Sequence, residues 1–138
     1  MVHSKVKAGQ LLACVANTLE CGERRVDLTP PEQFLQACVL PLELGKEIAA
    51  HIHTPRDAVP GPNPVITQES WIVLRGKIRV RLFDLDQTFL QEVQLAAGHL
   101  IVTFYGGHSM ACEEKDTLIV EFKNGPYLGR DFTYFPAR

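Results

Sequence analysis

Short blocks of alternating or wholly apolar residues, each closed by a turn signal, run through the C-terminal three-quarters of the chain. Ile78, Val80 and Leu82 fall on one parity and Arg79 and Arg81 on the other, the pattern of a half-buried β-strand. Thr67–Leu74 is apolar on both parities, which predicts a strand buried on both faces. Further strands are predicted over 89–95, 100–105, 118–123 and 132–135, separated by Ala96-Ala97-Gly98, Gly106-Gly107 and Asn124-Gly125-Pro126. Asp84–Gln87 reads as a hairpin turn and Gly76-Lys77 as another. Upstream, Lys46–His53 and Gln36–Leu40 are read as strands, with Pro41 interrupting after the second. Arg56–Pro64 holds three of the nine prolines together with Gly61 and Asn63, an exposed loop by composition. Strands at this spacing, with no long helical period between them, predict an all-β sandwich or barrel.

The N-terminal quarter is patterned differently. Residues 1–10 show little periodicity and read as a loose arm, and Leu11–Ala16 as a short strand or one helical turn. Thr29-Pro30-Pro31 carries the marks of a helix start, with threonine as cap and proline in the first turn. The expected organisation is an arm with a short helix over 1–35 and a β-barrel over 36–138.

Composition adds mainly exclusions. With 138 residues, 46% apolar and 22% charged, the chain suits one ordinary globular domain. A net charge of −2 gives no basic footprint for nucleic acid, and no apolar run approaches a membrane span. The first apolar run is too short for a secretion signal, so a cytoplasmic location is the expectation. Cys14, Cys21, Cys38 and Cys112 show no CxxC spacing and read as reduced thiols.

Chemistry concentrates between residues 45 and 108. His51 and His53 share a parity and would project side by side from a strand, with Ile48, Ala50 and Ile52 on the other face. Glu69 opens the next strand, with fifteen residues between it and His53, and a third imidazole follows at His108. Two or three imidazoles with a carboxylate make a divalent-metal donor set. Gln68 is the alternative to Glu69, because a one-residue change of register exchanges which faces inward. Glu121 and Lys123 share a strand face opposite Leu118, Val120 and Phe122. If that face is interior, they are buried charges available for acid–base work and anion binding. His99 reads as a turn residue and Trp71 as core. Tyr105 and Tyr127 are candidates to close the mouth of a site.

Gly45-x5-His51-Ile52-His53 with Glu69-x6-Gly76, followed by Gly98-x5-Phe104-x-Gly106-x-His108, resembles the paired motifs of the cupin superfamily. The tail from Glu121 to Tyr127 is similar to small single-domain cupins of bacterial surface-polysaccharide gene clusters. The resemblance spans roughly residues 36–135. It implies a double-stranded β-helix (jelly roll) barrel holding one divalent metal, zinc, iron, manganese or nickel, on His51, His53, Glu69 and His108. It also implies a homodimer.

Three functions follow as expectations. The first is a metal-binding cupin that senses or transforms a small polar molecule such as a sugar or sugar nucleotide, as an isomerase or an oxygen-dependent dioxygenase. Glu121, Lys123 and Tyr105 are its candidate catalytic residues. The second is a metal-free sugar-nucleotide isomerase or epimerase using a histidine base and a tyrosine acid. The third is a non-catalytic carbohydrate-binding barrel. Fold alone does not choose among them.

Overall fold

A computed structural model describes residues 1–56, 65–126 and 129–135; the expected loop tip at 57–64 and Tyr127 lie outside the described residues. Among the described residues twelve strands are formed: β1 (Val2–His3), β2 (Leu11–Ala13), β3 (Val26–Asp27), β4 (Leu35–Leu42), β5 (Glu47–His53), β6 (Glu69–Arg75), β7 (Lys77–Phe83), β8 (Phe89–Ala96), β9 (Leu100–Thr103), β10 (Gly107–Cys112), β11 (Thr117–Asn124) and β12 (Phe132–Tyr134). Two five-stranded antiparallel sheets stack, ordered β12-β5-β10-β7-β8 and β3-β4-β11-β6-β9, with β1 and β2 forming a separate hairpin. Apart from the β7–β8 hairpin within one sheet, the chain from β4 onward steps back and forth between the two sheets, which is the double-stranded β-helix connection. No helix among the described residues is long and apolar enough to cross a membrane.

The inner faces of the strands change character along their length. On β6 they read Glu69, Trp71, Val73; on β10 His108, Met110, Cys112; on β11 Lys123, Glu121, Ile119. Trp71, Val73, Ile78, Val80, Leu95, Met110 and Ile119 pack together between the sheets. Val73, Ile78, Val80 and Ile119 are fully excluded from solvent, each contributing about 1.5–3 kcal/mol of burial. The polar ends gather at the other end of the sandwich, so the apolar half of the core supports a polar half. A second cluster of Val39, Leu118 and Val120, with Cys21, Leu28, Leu74 and Phe122, covers the outer side of the second sheet.

Three expectations are corrected. Thr29 starts no helix. Pro31 disfavours the helical region for Pro30, and the Thr29 hydroxyl instead accepts from the Ala37 amide at 3.0 Å. The helical turn that does form is Thr18–Glu20, capped by Asn17. Pro41 does not end its strand. β3 pairs with β4 at Cys38 and Val39, so β4 is a free edge by Pro41, where a missing N–H is tolerated. Ile48 does not face away from the histidines. His108 opposes His51 while Met110 opposes Ile48, so Ala49 and Ala50 bulge against Ser109 alone. The bulge turns both Ile48 and His51 inward.

Gly76, at φ +77°, makes the β6–β7 turn where a Cβ would overlap Thr117, including its Cα at 2.7 Å. Gly98, at φ +86°, has open space around the same position. Gly98→Ala therefore carries only the positive-φ strain, about 1 kcal/mol. Gly76→Ala adds a backbone collision, roughly 2–4 kcal/mol in all. Urea midpoints of the two variants check this, and equal losses would contradict the turn geometry.

Candidate metal centre

His51 and His108 are direct cross-strand partners on β5 and β10, and their rings lie 4.4 Å apart. His53, two residues along β5, stands 5.3 Å from His51 and 5.6 Å from His108, ring centre to ring centre. Glu69 reaches across from the opposite sheet at the start of β6. Its Oε1 is 3.5 Å from His53 Nε2 and its Oε2 is 3.2 Å from His108 Nε2. One ligand atom from each residue falls within 4.8 Å of every other. The group is enclosed: His108 is 2% exposed and Glu69 7%.

Both ring nitrogens of His53 and the Nε2 of His108 are buried with no hydrogen-bond partner among the described residues. The Glu69 oxygens are close but out of line for hydrogen bonds. Buried polar atoms left this way cost about 1–3 kcal/mol each, and their arrangement around one carboxylate fits a divalent metal ion. His51 is oriented for the same use. Its Nδ1 is 2.8 Å from the Ala49 carbonyl at the bulge, which makes that nitrogen the N–H donor and leaves the Nε2 lone pair free.

Burial pulls the His51 pKa below the ordinary histidine value, assisted by the neighbouring imidazoles, so its ring stays neutral. Burial pulls His53 the same way, but the Glu69 carboxylate and Asp131 outweigh it and the net shift is upward. Burial alone would raise Glu69; His108 and His53 hold its carboxyl well below the usual carboxylate range.

A cavity of about 460 Å³ opens onto this group. Its wall carries Arg25, Cys38, Glu121, Lys123, Asp131 and Phe132 beside His51, His53 and Glu69. Glu121 is buried, with Trp71 Nε1 donating to its Oε2 at 3.1 Å and the Cys38 thiol to its Oε1 at 3.5 Å. Arg25 Nη2 and Lys123 Nζ lie 3.9 and 3.8 Å from the same Oε1. Burial, and then the Glu121 charge, push the Cys38 thiol up to about 12.

The structure thus brings His51, His53, Glu69, His108, Glu121 and Lys123 to one end of the barrel. Gln68 does not line this cavity, and its backbone N–H donates to the Asn124 side-chain oxygen at 2.7 Å. Tyr105 does not line this cavity. It follows β9 in a turn where Gly106 takes φ +79°, is 70% exposed, and borders a second depression whose wall also includes His53 and His108. His99 is a turn residue whose Nδ1 accepts from the Ala96 amide. Trp71 is core as expected, and its indole also stacks edge-on to His108 at 5.0 Å. Arg25, Cys38, Asp131 and Phe132 belong to no motif. Arg25 enters because β3 joins the sheet, and the arm-like composition around it gives no sign of that.

No protein-family profile and no curated protein matches the chain at the sequence level. Solved structures do resemble it. An uncharacterised conserved protein with a double-stranded β-helix domain from Klebsiella pneumoniae superposes with a TM-score of 0.60, at 16% identity, over 91% of this chain and all of that one. KdgF from Halomonas sp. gives 0.55 at 18% identity, over 72% and 77% of the two chains. A cupin superfamily protein from Desulfitobacterium hafniense gives 0.53 at 10% identity, over 72% and 74%.

The chain has the cupin fold.

Oxalate decarboxylase from B. subtilis, a longer chain, also aligns with a TM-score of 0.63 at 14% identity, over 96% of this chain and 35% of its own. Within this cupin barrel, Cys38 offers a direct check of the site's electrostatics. A thiol with its pKa near 12 is about 0.01% thiolate at pH 8, so native Cys38 is expected to react with iodoacetamide at least 100-fold more slowly than an ordinary cysteine. Peptide mapping against time reads the rate. Labelling at the free-thiol rate would mean that the Glu121–Cys38 contact is wrong.

Proposed function

We propose that this protein is a metal-binding cupin that takes a small polar ligand in the cavity beside His51, His53, Glu69 and His108. The observation that carries the reading is the set of buried imidazole nitrogens around one carboxylate that have no hydrogen-bond partner among the described residues. When bound, a divalent metal supplies Lewis-acid polarisation of a ligand oxygen.

The residues around it suggest what the ligand is like. Strand register sets Lys123 opposite Glu69 and Glu121 opposite Trp71. Directly facing Cβ atoms are about 4.5–5.5 Å apart, so Lys123 and Glu121 both stand next to the donor group. A ligand held there meets an ammonium group and a carboxylate at once. That suits a molecule with oxygen donors beside a carbonyl, such as a sugar, a sugar nucleotide or a hydroxy acid. Oxalate decarboxylase, by its name, acts on oxalate. Glu121 is tied at Oε2 by Trp71 and has its Oε1 edge toward the cavity cations. That edge would suit taking a proton from carbon next to a carbonyl and returning it to a neighbouring atom, which is isomerisation. Lys123 then offsets the negative charge that the ligand gains.

The test is equilibrium zinc binding to metal-free protein. One ion per chain is expected for the parent. Structural zinc is worth roughly 10–16 kcal/mol over four ligands, so His108→Ala or His51→Ala should weaken it by about 100-fold or more. Parent and variants binding zinc equally would remove the proposal. The imidazoles must be neutral to ligate, and His53 holds its proton above the usual histidine range in the metal-free protein. Zinc affinity is therefore expected to fall more than tenfold from pH 7.5 to 5.5, the loss beginning above pH 6.5. A flat profile would contradict imidazole ligation.

A further inference from the structure

On the other side of the His53 ring from Glu69 lies Asp131, which no motif marks. Its Oδ1 is 3.6 Å from His53 Nδ1, a nitrogen that is buried and without a hydrogen-bond partner among the described residues. Asp131 is itself fixed from several directions. Its Oδ2 takes Arg56 Nε at 3.0 Å and the Thr67 hydroxyl. Its backbone carbonyl accepts from the Thr54 amide at 2.8 Å and from the Thr54 hydroxyl at 3.2 Å.

Arg56 extends the clasp. Its Nη1 and Nη2 donate to the carbonyls of Pro126 and Asn124, both at 2.8 Å, and its backbone pairs with Val65. One guanidinium therefore ties the exit of β5, the approach to β6, the end of β11 and the entry to β12. This closes the base of the fifteen-residue span between His53 and Glu69 and lets both reach the same point.

A structural clasp needs only one oxygen of Asp131, and the other is turned toward His53. We propose that Asp131 is a positioning residue: Oδ1 accepts the His53 Nδ1–H and holds the ring with Nε2 toward Glu69 and His108. A separation of 3.6 Å exceeds a normal N–H···O bond by about half an ångström. Because the carboxylate is anchored, the imidazole is the group that moves to close it. A carboxylate behind a ligating histidine sets its tautomer and raises its basicity, and losing one typically weakens metal binding by about 10–100-fold. The inference rests on the metal reading of the site.

Cobalt(II) titration of metal-free protein separates the two. Absence of a bound-cobalt visible band in the parent would take away the metal reading and this inference with it. With the parent binding one cobalt, Asp131→Asn is expected to bind about 10–100-fold more weakly and to shift the band. Thr67→Val loosens the clasp while keeping the carboxylate, and is expected to leave the band in place and affinity within about threefold. Parent-like affinity and spectrum in Asp131→Asn would overturn the positioning role, as would equal losses in the two variants. If Asp131→Asn does not fold, Asp131→Glu carries the test: the displaced carboxylate should shift the cobalt band, and an unshifted band would overturn the proposal.

Discussion

Three imidazoles and one carboxylate, all withdrawn from water, face each other across the gap between two β-sheets. That arrangement is unfavourable in itself, since several of the nitrogens have exchanged water for no hydrogen bond. The protein tolerates it because the rest of the inter-sheet space is closely filled. Val73 and Ile119, on the strands that carry Glu69 and Glu121, pack with Ile78 and Val80 of β7 into a dry half-core. The two halves depend on each other through strand register. A slip of one residue on β6 would expose Trp71 and Val73 and turn Glu69 outward together. Apolar burial thus fixes where the donors stand.

Local departures from regular geometry occur where the donors need aiming. The bulge at Ala49–Ala50 puts Ile48 into the core and His51 into the site from one strand, and its carbonyl sets the His51 tautomer. Trp71 also links the halves, packing in the core while donating to Glu121 and lying against His108. The Arg56–Asp131 clasp does similar work at the far end of β5. It compensates for the long span between His53 and Glu69 without requiring that span to be short, in keeping with the small entropic cost of lengthening a loop.

Much of this is written in the sequence as alternation. β6, β7, β8, β9 and β11 follow from apolar runs, period-two patterns and their glycine turns, and the parity of His51, His53, Glu121 and Lys123 places each on the inner face; β10, which carries His108, is not among the strands the sequence predicts. What alternation does not carry is also clear. Thr29-Pro30-Pro31 has the residue types of a helix start, but the second proline disfavours the helical conformation at the first. A bulge leaves no period-two signal, so Ile48 looks as if it faces away. Tyr105 depends on which way a glycine turn leaves the sheet. Arg25 and Asp131 arrive beside the edge strands β3 and β12; the two residues of β3 are too few to announce it, and the strand expected over 132–135 gives no sign that Asp131 before it faces His53.

The central claim is spatial: one metal ion held between the two sheets by side chains from β5, β6 and β10. The most direct measurement is anomalous diffraction at the zinc edge from crystals of tag-free protein grown with zinc. One strong peak is expected per chain, at bonding distance of roughly 2.0–2.2 Å from His51 Nε2, His53, Glu69 and His108. A structure with all four side chains ordered and no peak among them, or with His108 turned out of the barrel, would contradict the account.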